Sequence, residues 1–190
     1  MKRKITPVFS ISVFESIRQT VGSLPAESGG MLCGCRKTGV ITFFHFDKHA
    51  TCSSATYVPD TNTLNKLLPQ LNAQGLDLMG FVHSHPHQCT SPSTGDEFYC
   101  SKIFSANPDL SFFIIPIVDP MVQDRQFCMR VFVATQKGKK IKVERIPLQI
   151  LEMETPAPEL NLSQEPNATP AADIPPVVAE STDEIRTTKE

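Results

Sequence analysis

The chain has 190 residues, 40% of them hydrophobic, with 18 lysines and arginines against 20 aspartates and glutamates and a formal net charge of −2. That suffices for one domain with a real core and not for two of ordinary size. No stretch interleaves basic clusters with aromatics, which argues against a nucleic-acid partner, and no segment approaches the ~18 apolar residues of a membrane span.

In chain order, MKRKITPVFSISVFESI begins as a signal peptide does, with basic residues before apolar ones. Thr6, Pro7, Ser10 and Ser12 break the apolar run and no small-residue cleavage site follows, so the segment reads as the mature start of a cytosolic protein. Ser12 with Glu15 three residues on is a capping-box pattern, and Val13, Phe14, Ile17 and Val21 recur at helical spacing. Together they predict a helix over 12–22. ESGGMLCGCRK and GVITFFHFDKH read as two strands joined by a turn at Lys37–Gly39, which would put Cys33 and Cys35 on one face as small core residues. The six cysteines form no CxxC pair, and free thiols are expected.

Asp60 can cap TNTLNKLLPQLNAQG, where Leu64, Leu67, Leu68 and Leu71 make one apolar face, Pro69 is expected to kink the helix and Gly75 ends it. LDLMGFVHSH reads as a buried strand. Ser93 with Asp96 caps a helix over TGDEFYCSKIFSA, and LSFFIIPIV, QFCMRVFVAT and KIKVERIPL are three further strands. The order predicts an α/β protein, a mixed sheet with helices on its faces. From Met153 the composition changes: eight acidic residues stand against Arg186 and Lys189, with six prolines and no aromatics. Residues 1–152 are therefore read as the domain and 153–190 as a disordered acidic tail that does not pack, with IPPVVAE its one candidate docking segment.

The chemistry concentrates in GFVHSHPHQCTSPSTGDEF. His83 and His85, two apart at a strand end, leave the same face and can converge on one ion. Pro86 turns the chain out of the strand, so that Asp96 in the first turn of the next helix can return as a third ligand. Two nitrogens and one carboxylate oxygen suit Zn²⁺ and leave its fourth position for water, as catalytic rather than structural sites do. Hydrolysis also needs a base, and Glu27, at the start of an apolar glycine-rich strand, is the candidate. Ser93 is placed to donate to a developing oxyanion as well as to cap its helix. His87 reads as a solvated loop residue, and Cys89 as a further zinc ligand or an oxidisable thiol.

These residues resemble a known family. Glu27 in ESGGMLCG, with His83, Ser84, His85, Pro86, Ser93 and Asp96 in HSHP and SPSTGD, matches every position of the JAMM (MPN+) zinc metalloprotease motif, an upstream Glu with H-S/T-H-P-x6-S-x2-D. The resemblance spans roughly residues 5–150. It implies the cytidine-deaminase-like α/β sandwich, Glu27 as general base, and hydrolysis of a peptide or isopeptide bond after the C-terminus of ubiquitin or a ubiquitin-like protein. The compact length is similar to that of small bacterial members found beside ubiquitin-activating and ubiquitin-conjugating-like enzymes, some in antiviral defence. Two alternatives remain: maturation of a ubiquitin-fold sulfur carrier, and a catalytically silent MPN scaffold. Zinc deaminases are disfavoured because H-x-E and P-C-x-x-C are both missing from the sequence, and it has no HExxH.

Overall fold

The computed structural model describes residues 6–25, 27–53, 56–86, 88–121, 126–138, 140–152 and 158–160. Its main sheet has eight strands in the order β10-β1-β3-β2-β6-β7-β8-β9, and β4 and β5 form a separate two-stranded sheet. In chain order the strands are β1 Val8–Ser10, β2 Gly29–Cys35, β3 Val40–Phe46, β4 Thr51–Cys52, β5 Tyr57–Val58, β6 Asp77–Ser84, β7 Phe113–Asp119, β8 Cys128–Lys137, β9 Lys140–Ile146 and β10 Ile150–Leu151. The helices are α1 Ile11–Gln19, α2 Thr61–Ala73 and α3 Thr94–Ala106. β1 runs parallel to β3 and β10, and β6 parallel to β7, while the other pairs are antiparallel. This is the expected mixed sheet with flanking helices.

Two apolar layers hold the helices to it. Val13 and Ile17 of α1 pack with Phe9, Leu32, Ile41, Val82 and Ile114 on one face. On the other, the four leucines of α2 and Cys100, Ile103 and Phe104 of α3 pack with Met31, Cys33, Phe81, Phe113 and Ile115. All four α2 leucines are fully buried, as their i, i+3, i+4, i+7 spacing requires. α2 runs on through Pro69, which costs one intrahelical hydrogen bond without ending the helix, and Gly75 follows it at φ +77°.

Strand β6 carries the irregularity that matters most. Against β2, Leu32 faces Gly80 but Cys33 faces Leu78, so Met79 is an extra residue. A bulge of this kind resets the alternation by one position. Leu78 and Phe81 thereby share the α2/α3 face, and Met79 and Val82 the α1 face. His83, two residues beyond Phe81, follows onto the α2/α3 side. Gly80 makes the close approach possible, because a Cβ there would lie 2.0 Å from the Ile114 carbonyl oxygen.

Three expectations change. The first helix is capped by Ser10, whose hydroxyl accepts from the Val13 amide at 3.4 Å, and not by Ser12. The short strand β1 places Ser10 at the sheet edge, where the chain turns directly into the helix. Cys33 is fully buried, but Cys35 lies half-exposed at the strand end, beyond a second irregularity between Cys33 and Gly34 in the pairing with β3. Among the described residues all six cysteines are free. The tail, finally, touches the domain. The side-chain amide of Gln74 donates to the Glu159 carbonyl at 2.8 Å and its oxygen accepts from the Glu159 amide at 3.2 Å, while Leu160 packs on the α2/α3 core. The remaining tail, 153–157 and 161–190, lies outside the described residues.

That contact separates two truncations. Ending the chain after Leu160 should leave urea-induced unfolding unchanged, whereas ending it after Glu152 should cost about 1 kcal/mol, the burial of part of one leucine.

Candidate metal centre

His83 is the penultimate residue of β6 and His85 follows directly after the strand. The His85 amide donates to the Val118 carbonyl at 3.0 Å, which keeps the chain against β7 after the strand proper has ended. His83 Nε2 and His85 Nε2 lie 2.9 Å apart. Both side chains are buried, at about 6% exposure. The Nδ1 of His85 is 3.1 Å from the Cys89 carbonyl, an acceptor, so that nitrogen carries a hydrogen and Nε2 is turned toward His83 and Asp96.

Asp96 arrives from the first turn of α3 by way of a capping box. The Ser93 amide donates to Asp96 Oδ2 at 2.6 Å and the Asp96 amide to Ser93 Oγ at 3.2 Å. This reciprocal pair fixes the carboxylate relative to the helix axis. Its oxygens then stand 3.1 Å from His83 Nε2 and 3.4 Å from His85 Nε2. One ligand atom from each of the three residues lies within 4.8 Å of the others. The spacings are close to the ~3.4 Å edge of a tetrahedron with bonds of ~2.1 Å, and the donor set of two imidazole nitrogens and one carboxylate oxygen fits a zinc ion. Burial pushes the Asp96 carboxyl up, but hydrogen bonds to both histidines, the His83 charge and the Ser93 amide override it and hold the group well below the ordinary carboxylate range. For His85, burial opposes the charge, yet Asp96 and Glu27 bring the imidazole above its ordinary value.

Glu27 lies just ahead of β2 and is 9% exposed. Its amide donates to the Ser53 carbonyl at 3.0 Å. Burial raises its carboxyl above the usual range, opposed by His83 and His85 and by a hydrogen bond from the Tyr57 amide. Glu27, Ser93, His83, His85 and Asp96 all border one cleft of about 780 Å³, walled by Tyr57–Pro59 and the start of α3 and floored by Phe81, Phe113 and Ile115. The structure thus brings together every residue expected in the site. Ser93 does cap its helix, and its hydroxyl also donates to Asp96 Oδ2 at 2.8 Å. Cys89 is exposed at the cleft and reaches His85 through its carbonyl, while His87 lies outside the described residues.

Residues 12–131 match the family of prokaryotic homologs of the JAB domain. The chain belongs to this family. The resemblance drawn from HSHP and its flanking residues therefore holds, and the JAB fold accounts for the sheet and its helices. No curated protein matches the sequence. Among solved structures, the solution structure of protein DSY2949 from Desulfitobacterium hafniense is similar with a TM-score of 0.59 at 16% identity, over 78% of this chain and 95% of that one. AF2198, a JAB1/MPN domain protein from Archaeoglobus fulgidus, gives 0.41 at 18% identity over 77% and 98%. A structure described as a JAMM metalloprotease-like zinc site in the proteasome and signalosome gives 0.40 at 18% identity over the same shares.

Two contributors to this JAB-domain site have roles that the sequence reading did not assign. One is Ser84, which points away from the histidines on either side of it. Its Oγ accepts from the Ser28 amide at 3.0 Å, and its own amide donates to the Ser28 carbonyl at 2.8 Å. Alternation within HSH carries the signal, since the middle residue of such a triplet must face the opposite side. The other is Tyr57, considered below. Ser84 is fully buried, so Ser84→Ala strands the Ser28 N–H and should cost about 2 kcal/mol in urea unfolding.

Proposed function

We propose that this protein is a zinc-dependent JAMM-type peptidase that cleaves the amide bond following the C-terminus of a ubiquitin-like protein. The observation that carries this reading is the convergence of His83, His85 and Asp96 with the buried carboxyl of Glu27 in one cleft. His83 and His85 would hold the ion through Nε2 and Asp96 through a carboxylate oxygen. Zinc, when bound, supplies Lewis acidity that polarises a carbonyl and acidifies water.

Glu27 takes the proton from the attacking water as its oxygen bonds to the carbonyl carbon, then returns that proton to the amine nitrogen as the C–N bond breaks. A carboxyl raised by burial suits a group that must accept and then give up a proton near neutrality. Ser93 donates to the carbonyl oxygen as it gains charge, turning its hydroxyl away from Asp96 Oδ2 to do so. The cleft suits an extended, flexible tail: its floor is apolar, and β5 in the wall is paired, among the described residues, with β4 alone, a strand edge of the kind that captures extended peptides. A lysine-linked conjugate makes the enzyme a deconjugating isopeptidase, with ubiquitin-activating and ubiquitin-conjugating-like enzymes as its counterparts. A linear extension makes it the maturation enzyme of a precursor, including a ubiquitin-fold sulfur carrier. The intact donor set with its glutamate speaks against a silent scaffold.

Asp96→Ala should lose at least ~10-fold in zinc affinity by chelator competition, whereas Glu27→Ala should keep its zinc and lose ~10²–10⁴ in turnover. Equal zinc loss in both would reverse the assigned roles. Zinc-loaded wild type given ubiquitin-fold reporters, one joined to a lysine side chain and one carrying a linear extension, should cleave at least one of them while Glu27→Ala cleaves neither. Isopeptide cleavage identifies a deconjugating enzyme, and cleavage of the linear reporter alone identifies precursor processing.

A further inference from the structure

Tyr57 joins three parts of the site that are distant in sequence. Its ring lies nearly parallel to the His83 imidazole, 12° between planes and 6.0 Å between centroids, an offset stack. It borders the same cleft as Glu27. Its hydroxyl donates to Asp47 Oδ2 at 3.2 Å, and the same oxygen accepts from the Asp60 amide at 2.8 Å just before α2. Asp47 is 5% exposed, so this anchor sits inside the protein and not on its surface.

The ring also has a seat prepared for it. A Cβ on Gly29 would lie 2.8 Å from the Tyr57 ring and 2.7 Å from the Val82 carbonyl oxygen. Gly29 is the β2 residue directly opposite His83. The first glycine of ESGG therefore clears the space in which an aromatic ring backs the imidazole. At its Nε2 edge His83 meets His85, with centroids 4.7 Å apart and planes at 61°. The imidazole thus touches two rings, only one of which belongs to the donor set.

We infer that Tyr57, anchored by Asp47 and seated on Gly29, is a positioning residue for the metal centre: its ring sets the orientation of His83. The inference rests on the proposed role of His83 as a ligand. An imidazole on a strand end keeps freedom about its ring bond unless something flat lies against it, and ligand orientation set by outlying partners governs metal affinity. Because Tyr57 belongs to β5, the same strand that walls the cleft also holds the ligand, so the wall and the centre are built as one unit.

Cobalt(II) is the probe, read by its visible absorption bands and its dissociation constant, with apo-protein melting measured in parallel. The wild type should bind one ion. Tyr57→Phe keeps the ring, loses the anchor and should bind about threefold more weakly. Tyr57→Leu should lose ~10–100-fold with displaced bands, at a melting temperature close to that of Tyr57→Phe. Wild-type affinity and unchanged bands in Tyr57→Leu overturn the inference while leaving the metal reading intact. If Tyr57→Leu does not fold, Asp47→Asn takes its place, with about threefold weaker binding expected and unchanged affinity and bands again overturning. A wild type that binds no cobalt(II) overturns the metal reading itself, and the inference with it.

Discussion

The structure depends on the antiparallel pairing of β2 with β6. Through it Gly29 stands opposite His83, and Gly30 opposite Val82, so the strand that follows Glu27 and the strand that ends in the histidines are held in one register. The bulge at Met79 decides which face those histidines take, and the two hydrogen bonds between Ser28 and Ser84 lock the open end of the pair. Register in a sheet is all or nothing, since a slip by one residue exchanges the two faces. A slip here would turn His83 into the α1 layer and bring Ser84 to the cleft. The apolar layers that flank β6 thus protect the site as much as they stabilise the fold.

A second constraint is electrostatic. Two imidazoles and two carboxyls share a cleft whose floor is aromatic and aliphatic, and unpaired charge in such surroundings is expensive. The protein meets that cost by unequal treatment of the carboxyls. Asp96 is surrounded by donors, two histidines and the Ser93 amide and hydroxyl, and stays ionised. Glu27 has burial working against its charge and fewer donors to oppose it. Two carboxyls with divergent environments are what separate acid–base work from ligation demands.

Much of this was legible in the sequence because it is local. Leucines at helical spacing, Asp60 and Ser93 as caps, and the period of two in HSH all act within a few residues. The capping box around Ser93 and Asp96 is written in the same four residues that place the ligand, so helix start and site appear together. What stayed hidden acts across the sheet. β1 and β10 are two or three residues long and exist only because they pair with each other and with β3, so no periodicity could reveal them. With β1 unseen, Ser12 looked like the cap that Ser10 provides. Cys35 looked like a core residue because alternation was carried through an irregularity that shows only against the partner strand. Leu160 sits in a stretch whose composition promised no packing, yet one leucine and one glutamine side chain hold it.

The capping box has a thermodynamic consequence of its own. Asp96 is already engaged by Ser93, and His85 by the Cys89 carbonyl, so the donor atoms are gathered by protein hydrogen bonds alone. An ion entering such a centre has little ordering left to bring about, and its affinity is spared that entropic charge.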